Sequence, residues 1–177
     1  NAAQPKPYDG PQTRLQRGPQ SELDPKTGRV AGALEGEALK VIEATIGNVG
    51  HQKMGGFPAD RWSGGEQLFW TGARPGAKLS LEIPVETSGT YAIEGVLTMA
   101  ADYAIAKVSL DGEPLVESID LFDRDVVTTG VQNWGQRELK QGAHQLTLEI
   151  VGASPAAVPS YLVGLDYIRL TPVDAKR

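Results

Sequence analysis

The sequence predicts an all-β protein, a two-sheet antiparallel β-sandwich behind an extended Pro-rich N-terminal arm. Three observations carry that expectation. From residue 33 onward the chain is a succession of short segments in which apolar and polar residues alternate, each bounded by turn formers. Those turn formers are in excess, with 21 glycines and 12 prolines beside a hydrophobic content of 40%. No stretch of useful length shows the period of an amphipathic helix. Roughly eight to ten short strands at this close spacing make two packed sheets.

The elements follow in order. Residues 1–32 carry Pro5, Pro7, Pro11, Pro19 and Pro25 and little that is apolar beyond Tyr8, Leu15 and Leu23. Such a segment cannot offset its own ordering entropy, so it is expected as an arm that lies against its own sandwich or a neighbouring subunit. The sandwich domain is expected over 33–172, and 173–177 is a short polar tail. LEGEALKVIEAT opens the sandwich as one strand or two, and a glycine-rich loop is expected from Gly47 to Pro58. Residues 66–71 form a strand and Pro75-Gly76 a turn. KLSLEIPV then sets Leu79, Leu81, Ile83 and Val85 on one face and Lys78, Ser80 and Glu82 on the other, the mark of an antiparallel strand with one wet face. After Ser88-Gly89 come the strand TYAIEGVLT, a loop at 99–103, and AIAKVSL. Asp111-Gly112 is a two-residue hairpin signal, since both residues tolerate positive φ. PLVESIDLF is another strand, 123–136 reads as loop, and a short strand lies at 137–139. A turn at Gln141-Gly142, the strand HQLTLEIV, the loop GASPAAVPS and the strand YLVGLDYIRL complete the chain.

Composition narrows the function. The chain of 177 residues is long enough for one ordinary domain. Its net charge of −5 and the lack of any Lys/Arg cluster argue against nucleic acid and anionic membrane as partners. No apolar run is long enough to span a bilayer. The absence of cysteine excludes disulfides, thiolate metal sites and a cysteine nucleophile. Catalysis finds little footing. The two histidines, His51 and His144, sit in a glycine-rich loop and at a strand start, and no Gly-x-Ser-x-Gly elbow or phosphate-loop ending is present. Nothing singles out a glycosidase-type pair among the 22 acidic residues. The expected protein is not an enzyme.

Several motifs recur in an order that resembles one family. They are Glu35-Gly36-Glu37, Ser63-Gly64-Gly65, LEIPVETSGTY, Leu110-Asp111-Gly112, LKQGAH and the closing GLDYIRL. In that order they resemble the galactose-binding-like jelly-roll domain of carbohydrate-binding modules, families 6 and 35 above all. WSGGEQLFWTG, LTMAADYAIAKVSLDG and YLVGLDYIRL also resemble the sandwich domains attached to bacterial proteins of glycoside hydrolase family 172. The resemblance covers about four-fifths of the chain and implies a jelly-roll fold. A glycan or polysaccharide is then the implied partner, and the location secreted, periplasmic or cell-surface in a bacterium. The start at Asn1 is what a cleaved signal would leave, or a boundary inside a longer chain.

The same resemblance implies site residues. The opening Glu-x-Glu and the aspartate of the last strand hold a structural calcium in these relatives, and the matching positions here are Glu35, Glu37 and Asp166. Hard oxygen ligands from both chain ends suit Ca²⁺. The alternative is that the glutamates face solvent and Asp166 pairs with a lysine or arginine. Sugar-binding sandwiches stack pyranose rings on exposed aromatics and fix hydroxyls with amides and acids. By analogy Trp134, just before the LKQGAH strand, is the leading ligand-contacting aromatic, with Gln132 and Asn133 beside it. Tyr103 and Tyr161 are further rim candidates, and Asp102 and Asp123 would accept hydroxyl hydrogen bonds. Trp62 and Trp70 flank a strand and read as core or loop anchors.

Two roles remain open. One is a carbohydrate-binding sandwich accessory to a polysaccharide-processing protein. The other is an assembly subunit of a homo- or hetero-oligomer whose arm adds to a neighbour's sheet edge.

Overall fold

The computed structural model describes residues 15–173 of the chain. Twelve strands follow one another: β1 (Ala33–Glu35), β2 (Val41–Ala44), β3 (Asn48–Lys53), β4 (Glu66–Thr71), β5 (Lys78–Val85), β6 (Gly89–Met99), β7 (Ile105–Leu110), β8 (Glu113–Asp120), β9 (Val127–Thr128), β10 (Gln132–Leu139), β11 (Gly142–Gly152) and β12 (Val163–Pro172). One sheet of seven strands runs β10-β6-β12-β4-β3, with β1 added to β12 and β9 to β6. The second runs β2-β5-β11-β7-β8, and strand pairing is antiparallel within both sheets. This is the two-sheet jelly-roll sandwich that the alternating pattern and the motif order anticipate.

The core lies between the sheets. Leu79, Leu81, Ile83 and Val85 of β5 and Leu146, Leu148 and Ile150 of β11 are buried against Leu68, Trp70, Ile93, Leu97 and Ile168 from the other sheet. Trp62 and Trp70 are anchors, only 3% and 0% exposed. The Trp62 indole N–H donates to Thr98 Oγ1 at 2.8 Å, and that of Trp70 to the Ile46 carbonyl at 2.9 Å. Each buried indole therefore keeps the partner it needs.

Two segments differ from the sequence expectation. The stretch from Gly47 to Pro58 is not all loop: β3 forms the outer edge of the seven-stranded sheet, His51 included. Its residues are mostly exposed, so it shows no apolar alternation from which a strand could be read. Likewise the expected loop 123–136 contains β9 and the start of β10.

The end of the arm region that is described belongs to the fold. Gly18 N–H donates to the Thr129 carbonyl at 2.9 Å, and Val131 N–H to the Pro19 carbonyl at 2.8 Å. Ser21 Oγ lies 2.8 Å from Tyr167 Oη, and Leu23 bridges Val30. Val30 packs with Val96 and Tyr167 in a small second core. Expectations for residues 1–14 and 174–177 fall outside the described residues. Among those described, no helix is long and apolar enough to cross a membrane.

Candidate functional site

Two groups of side chains stand out, and backbone irregularities place both. The first gathers at the junction of β1, the Ser63 turn and β12. Between β12 and β6 the register slips between Leu165 and Tyr167, so Asp166 sits at a β-bulge. A bulge re-aims a side chain, and here it turns a fully buried carboxylate toward the Ser63 backbone. Ser63 N–H donates to Asp166 Oδ1 and Oδ2 at 3.1 and 3.3 Å, and its hydroxyl donates to Glu35 Oε1 at 2.6 Å. Gly36 crosses so close to β12 that a Cβ would stand 2.3 Å from the Leu165 carbonyl oxygen, which explains the glycine between the two glutamates.

The electrostatics of this junction are unfavourable as it stands. Glu35 Oε2 and Glu37 Oε2 are buried and have no hydrogen-bond partner among the described residues. Burial pushes both carboxyls above the ordinary range. Asp166 is pushed up to about 8, first by burial and then by the charges of Glu35, Glu37 and Asp60. Native structures rarely leave buried carboxylate oxygens unpaired, so each such oxygen calls for an explanation. Hard carboxylate oxygens are the donors that calcium takes. Among the described residues, however, no three Asp, Glu, His or Cys side chains already form a metal-binding group. The donors fit the ion in kind, and backbone or water oxygens would have to complete its shell.

The second group lies on loops at one end of the sandwich. Ala100 bridges Phe122 and Tyr103 bridges Leu162 in parallel fashion. Val158 N–H donates to the Ala101 carbonyl and Leu162 N–H to the Asp102 carbonyl, at 2.8 and 3.2 Å. These bonds join the segments 100–104, 121–125 and 153–162, and so bring together Asp102, Tyr103, Asp123 and Tyr161. Beside them opens a cavity of about 640 Å³, lined by Asp120, Phe122, Asp123, Arg124, Asp125 and Ser154, with Leu15 at its margin. Asp123 Oδ1 accepts the Asp125 N–H at 2.9 Å, which fixes the acidic turn. Burial raises the Asp120 carboxyl.

The aromatic candidates are distributed differently from the expectation. Trp134 is only 5% exposed and faces the core from β10. Its ring covers Gly95, where a Cβ would meet ring carbons at 2.1–2.7 Å. It is therefore a packing residue rather than a displayed platform. Gln132 Nε2 donates to the Thr129 and Gln16 carbonyls at 3.0 and 3.3 Å, and Asn133 Oδ1 accepts the Gly135 N–H at 2.9 Å. Both side chains are occupied in shaping the chain around β10. Tyr103 is buried, its ring stacked on Phe69 and its hydroxyl accepting from Gln67 Nε2 at 3.0 Å. Burial pushes that phenol up to about 12. Tyr161 remains half-exposed, with φ of 54°. The sequence reading did not single out Phe122, Arg124 or Ser154. Ser63 was quoted as part of a motif, but its bridging role between Glu35 and Asp166 was not legible.

No protein-family model matches this chain, and no curated protein sequence does. Solved structures do. A Paenibacillus xanthan lyase superposes with a TM-score of 0.68 at 18% identity, over 84% of this chain and 14% of that one. A Podospora anserina GH26-CBM35 β-(1,4)-mannanase gives 0.52 at 16% identity, over 82% and 28%. A cycloisomaltooligosaccharide glucanotransferase from Paenibacillus sp. gives 0.51 at 15%, over 81% and 18%. The chain thus spans less than a third of each of these proteins, and the likeness is one of fold.

Proposed function

We propose that this chain is a non-catalytic carbohydrate-binding sandwich that serves a polysaccharide-processing protein outside the cell. The observation that carries the reading is the loop cavity. It has the size of a small-ligand site, an aromatic ring at Phe122, and several carboxylates and a hydroxyl able to hold sugar hydroxyls. Asp123 is the sequence candidate that lines this cavity, while the Asp102 backbone and the buried Tyr103 tie its loop to the one that carries Tyr161. The fold-level likeness to a xanthan lyase, a β-(1,4)-mannanase and a glucanotransferase supports a saccharide as ligand by analogy.

The second part of the proposal is a structural calcium held by carboxylate oxygens of Glu35, Glu37 and Asp166. The two orphaned oxygens support it. The ion would supply positive charge to a buried cluster that otherwise must take up protons. Ser63 would then keep Glu35 and Asp166 oriented from the opposite side.

A glycan-array screen in calcium and again in EDTA tests both parts. Binding is expected to fall at least tenfold in Asp123→Asn and Phe122→Ala with the melting temperature unchanged. Absence of binding to any neutral or acidic glycan would overturn the reading. The alternative assembly role would then rest on residues 1–14, outside the described residues, because residues 15–30 lie on their own sheet.

A further inference from the structure

Away from the loop cavity, a second groove of about 520 Å³ runs between the turn at 23–29 and the segment 54–65. It is cationic on a protein whose net charge is −5. Arg29 and Arg61 both line it, beside Phe57, Met54 and the edge of Trp62. Neither guanidinium has a hydrogen-bond or ion-pair partner among the described residues.

Both arginines are held in place from their backbones. Around Arg29, Gly64 N–H donates to the Gly28 carbonyl at 2.8 Å, Val30 N–H to Ser63 Oγ at 2.9 Å, and Asp24 N–H to the Arg29 carbonyl at 2.9 Å. The Arg29 side chain lies along Gly64, where a Cβ would stand 3.7 Å from its Cγ, Nε and Cζ. Gly64 has φ of 65°, so a side chain there would strain the backbone. Arg61 N–H donates to Asp60 Oδ1 at 2.8 Å. The one carboxylate in the groove lining, Asp60, is already taken up by Arg17 at 3.0 Å and by the N–H and hydroxyl of Thr128, both at 2.8 Å. Phe57 and the buried Trp62 form a tilted pair with centroids 6.3 Å apart, which holds the half-buried Phe57 ring at the groove.

Two guanidinium forks without hydrogen-bond partners among the described residues, in one groove with the half-buried Phe57 ring, make a receptor for a flat ring that carries an anionic group. The loop cavity has the opposite bias, with Asp120, Asp123 and Asp125 against Arg124. We propose that this groove is a separate site for an acidic saccharide, whose carboxylate or sulfate ester is gripped by Arg29 and Arg61 while its ring lies on Phe57. The inference rests on the carbohydrate-binding reading and adds to it a ligand charge and a second location.

Calorimetry on the full chain tests it at fixed calcium and low salt. The probes are a galacturonate oligomer, a sulfated galactose oligomer, and neutral oligomers of mannose, glucose and galactose. At least one acidic oligomer is expected to bind with an affinity that weakens as salt rises, and the two acidic arms tell carboxylate from sulfate. Arg61→Gln and Arg29→Gln should each weaken it at least tenfold without changing the melting temperature. Arg29 also lowers the Glu35 and Glu37 carboxyls, so Arg61→Gln is the cleaner variant. Amide shifts on titration should centre on Gly28, Gly64 and Gly65. Acidic binding undiminished in both variants, or shifts centred on 120–125, overturns the proposal. Neutral oligomers binding while acidic ones do not overturns it alone. Failure of every probe overturns the carbohydrate reading with it.

Discussion

At the scale of single residues, Asp166 and Trp134 teach different lessons about side chains that sequence singles out. Asp166 has a folded-state pKa of about 8 against an ordinary 3.8. A carboxyl raised in this way contributes stability below pH 3.8 that is lost as pH rises through about 8, because the folded chain must then bury a charge. In EDTA the unfolding free energy should therefore fall between pH 5 and 8, by at most about 1.4 kcal/mol per pH unit from this group, and the melting temperature with it. Asp166→Asn should flatten that slope, and calcium should raise the melting temperature of the parent chain but not of the variant. A pH-independent parent in EDTA would remove the argument. Trp134 was legible as an aromatic in the right stretch but not as a buried one. The deciding partner is Gly95, 39 residues earlier in the chain, whose missing Cβ makes room for the ring. Trp134→Ala is expected to cost about 3–5 kcal/mol of stability. Gly95→Ala, which drives a methyl into the ring, should cost about 1–3 kcal/mol. Loss of glycan binding in Trp134→Ala at a temperature where the variant is still fully folded would show that the ring touches ligand after all.

At the scale of elements, legibility followed burial on one face. The β5 segment KLSLEIPV could be read directly from its period, except at Ser80, which was expected on the wet face and is buried beside Thr147 and Gln145. The edge strand β3 could not, since NVGHQK buries little and is held by main-chain bonds to β4. The bulge in β12 was equally hidden, as register slips depend on the partner strand and not on local composition. The turn into β11 is legible at Gln141-Gly142, but the pairing of His144 with Asp111 and the Lys140 carbonyl emerges only in three dimensions. His144 Nδ1 lies 2.6 Å from Asp111 Oδ2 and Nε2 lies 2.6 Å from the Lys140 carbonyl oxygen. Both neighbours are acceptors, so both bonds form only with the imidazolium. The Lys140 carbonyl and Asp111 hold the pKa above 6.5, the carbonyl contributing most. The clasp therefore stabilises fully below 6.5 and is lost as pH rises through the raised value. NMR titration should find the His144 imidazole above the ordinary 6.5, and Asp111→Asn should bring it down. A His144 that titrates at or below 6.5 would show that the clasp does not form in solution.

At the scale of the whole molecule, the boundary drawn from composition at 32/33 does not coincide with the boundary of packing. The prolines and polar residues before it suggest a separate arm, yet Val30 is 5% exposed and shares a small core with Val96 and Tyr167 on the outer side of the seven-stranded sheet. Composition counts how much apolar surface a segment owns, and a few side chains suffice when a sheet face already waits for them. Arg17 adds a second tie, since it meets Asp60 at 3.0 Å and donates from Nε to the Thr128 carbonyl at 2.9 Å. Through Asp60 the strap reaches the cationic groove, and through Val30 N–H it reaches Ser63 and hence the carboxylate junction. Removing it should thus affect more than the residues it covers. A chain starting at residue 31 is expected to melt below one starting at residue 15, because it loses Val30 and uncovers Val96 and Tyr167. Burial of a valine is worth about 1.5–3 kcal/mol, which for a domain of this size lowers the melting temperature by several degrees. The shorter chain should also gain affinity for a hydrophobic dye and lose part of its calcium-dependent stabilisation, because Ser63 no longer accepts from Val30. Identical melting of the two truncated chains, with and without calcium, would show that the sandwich stands without its strap.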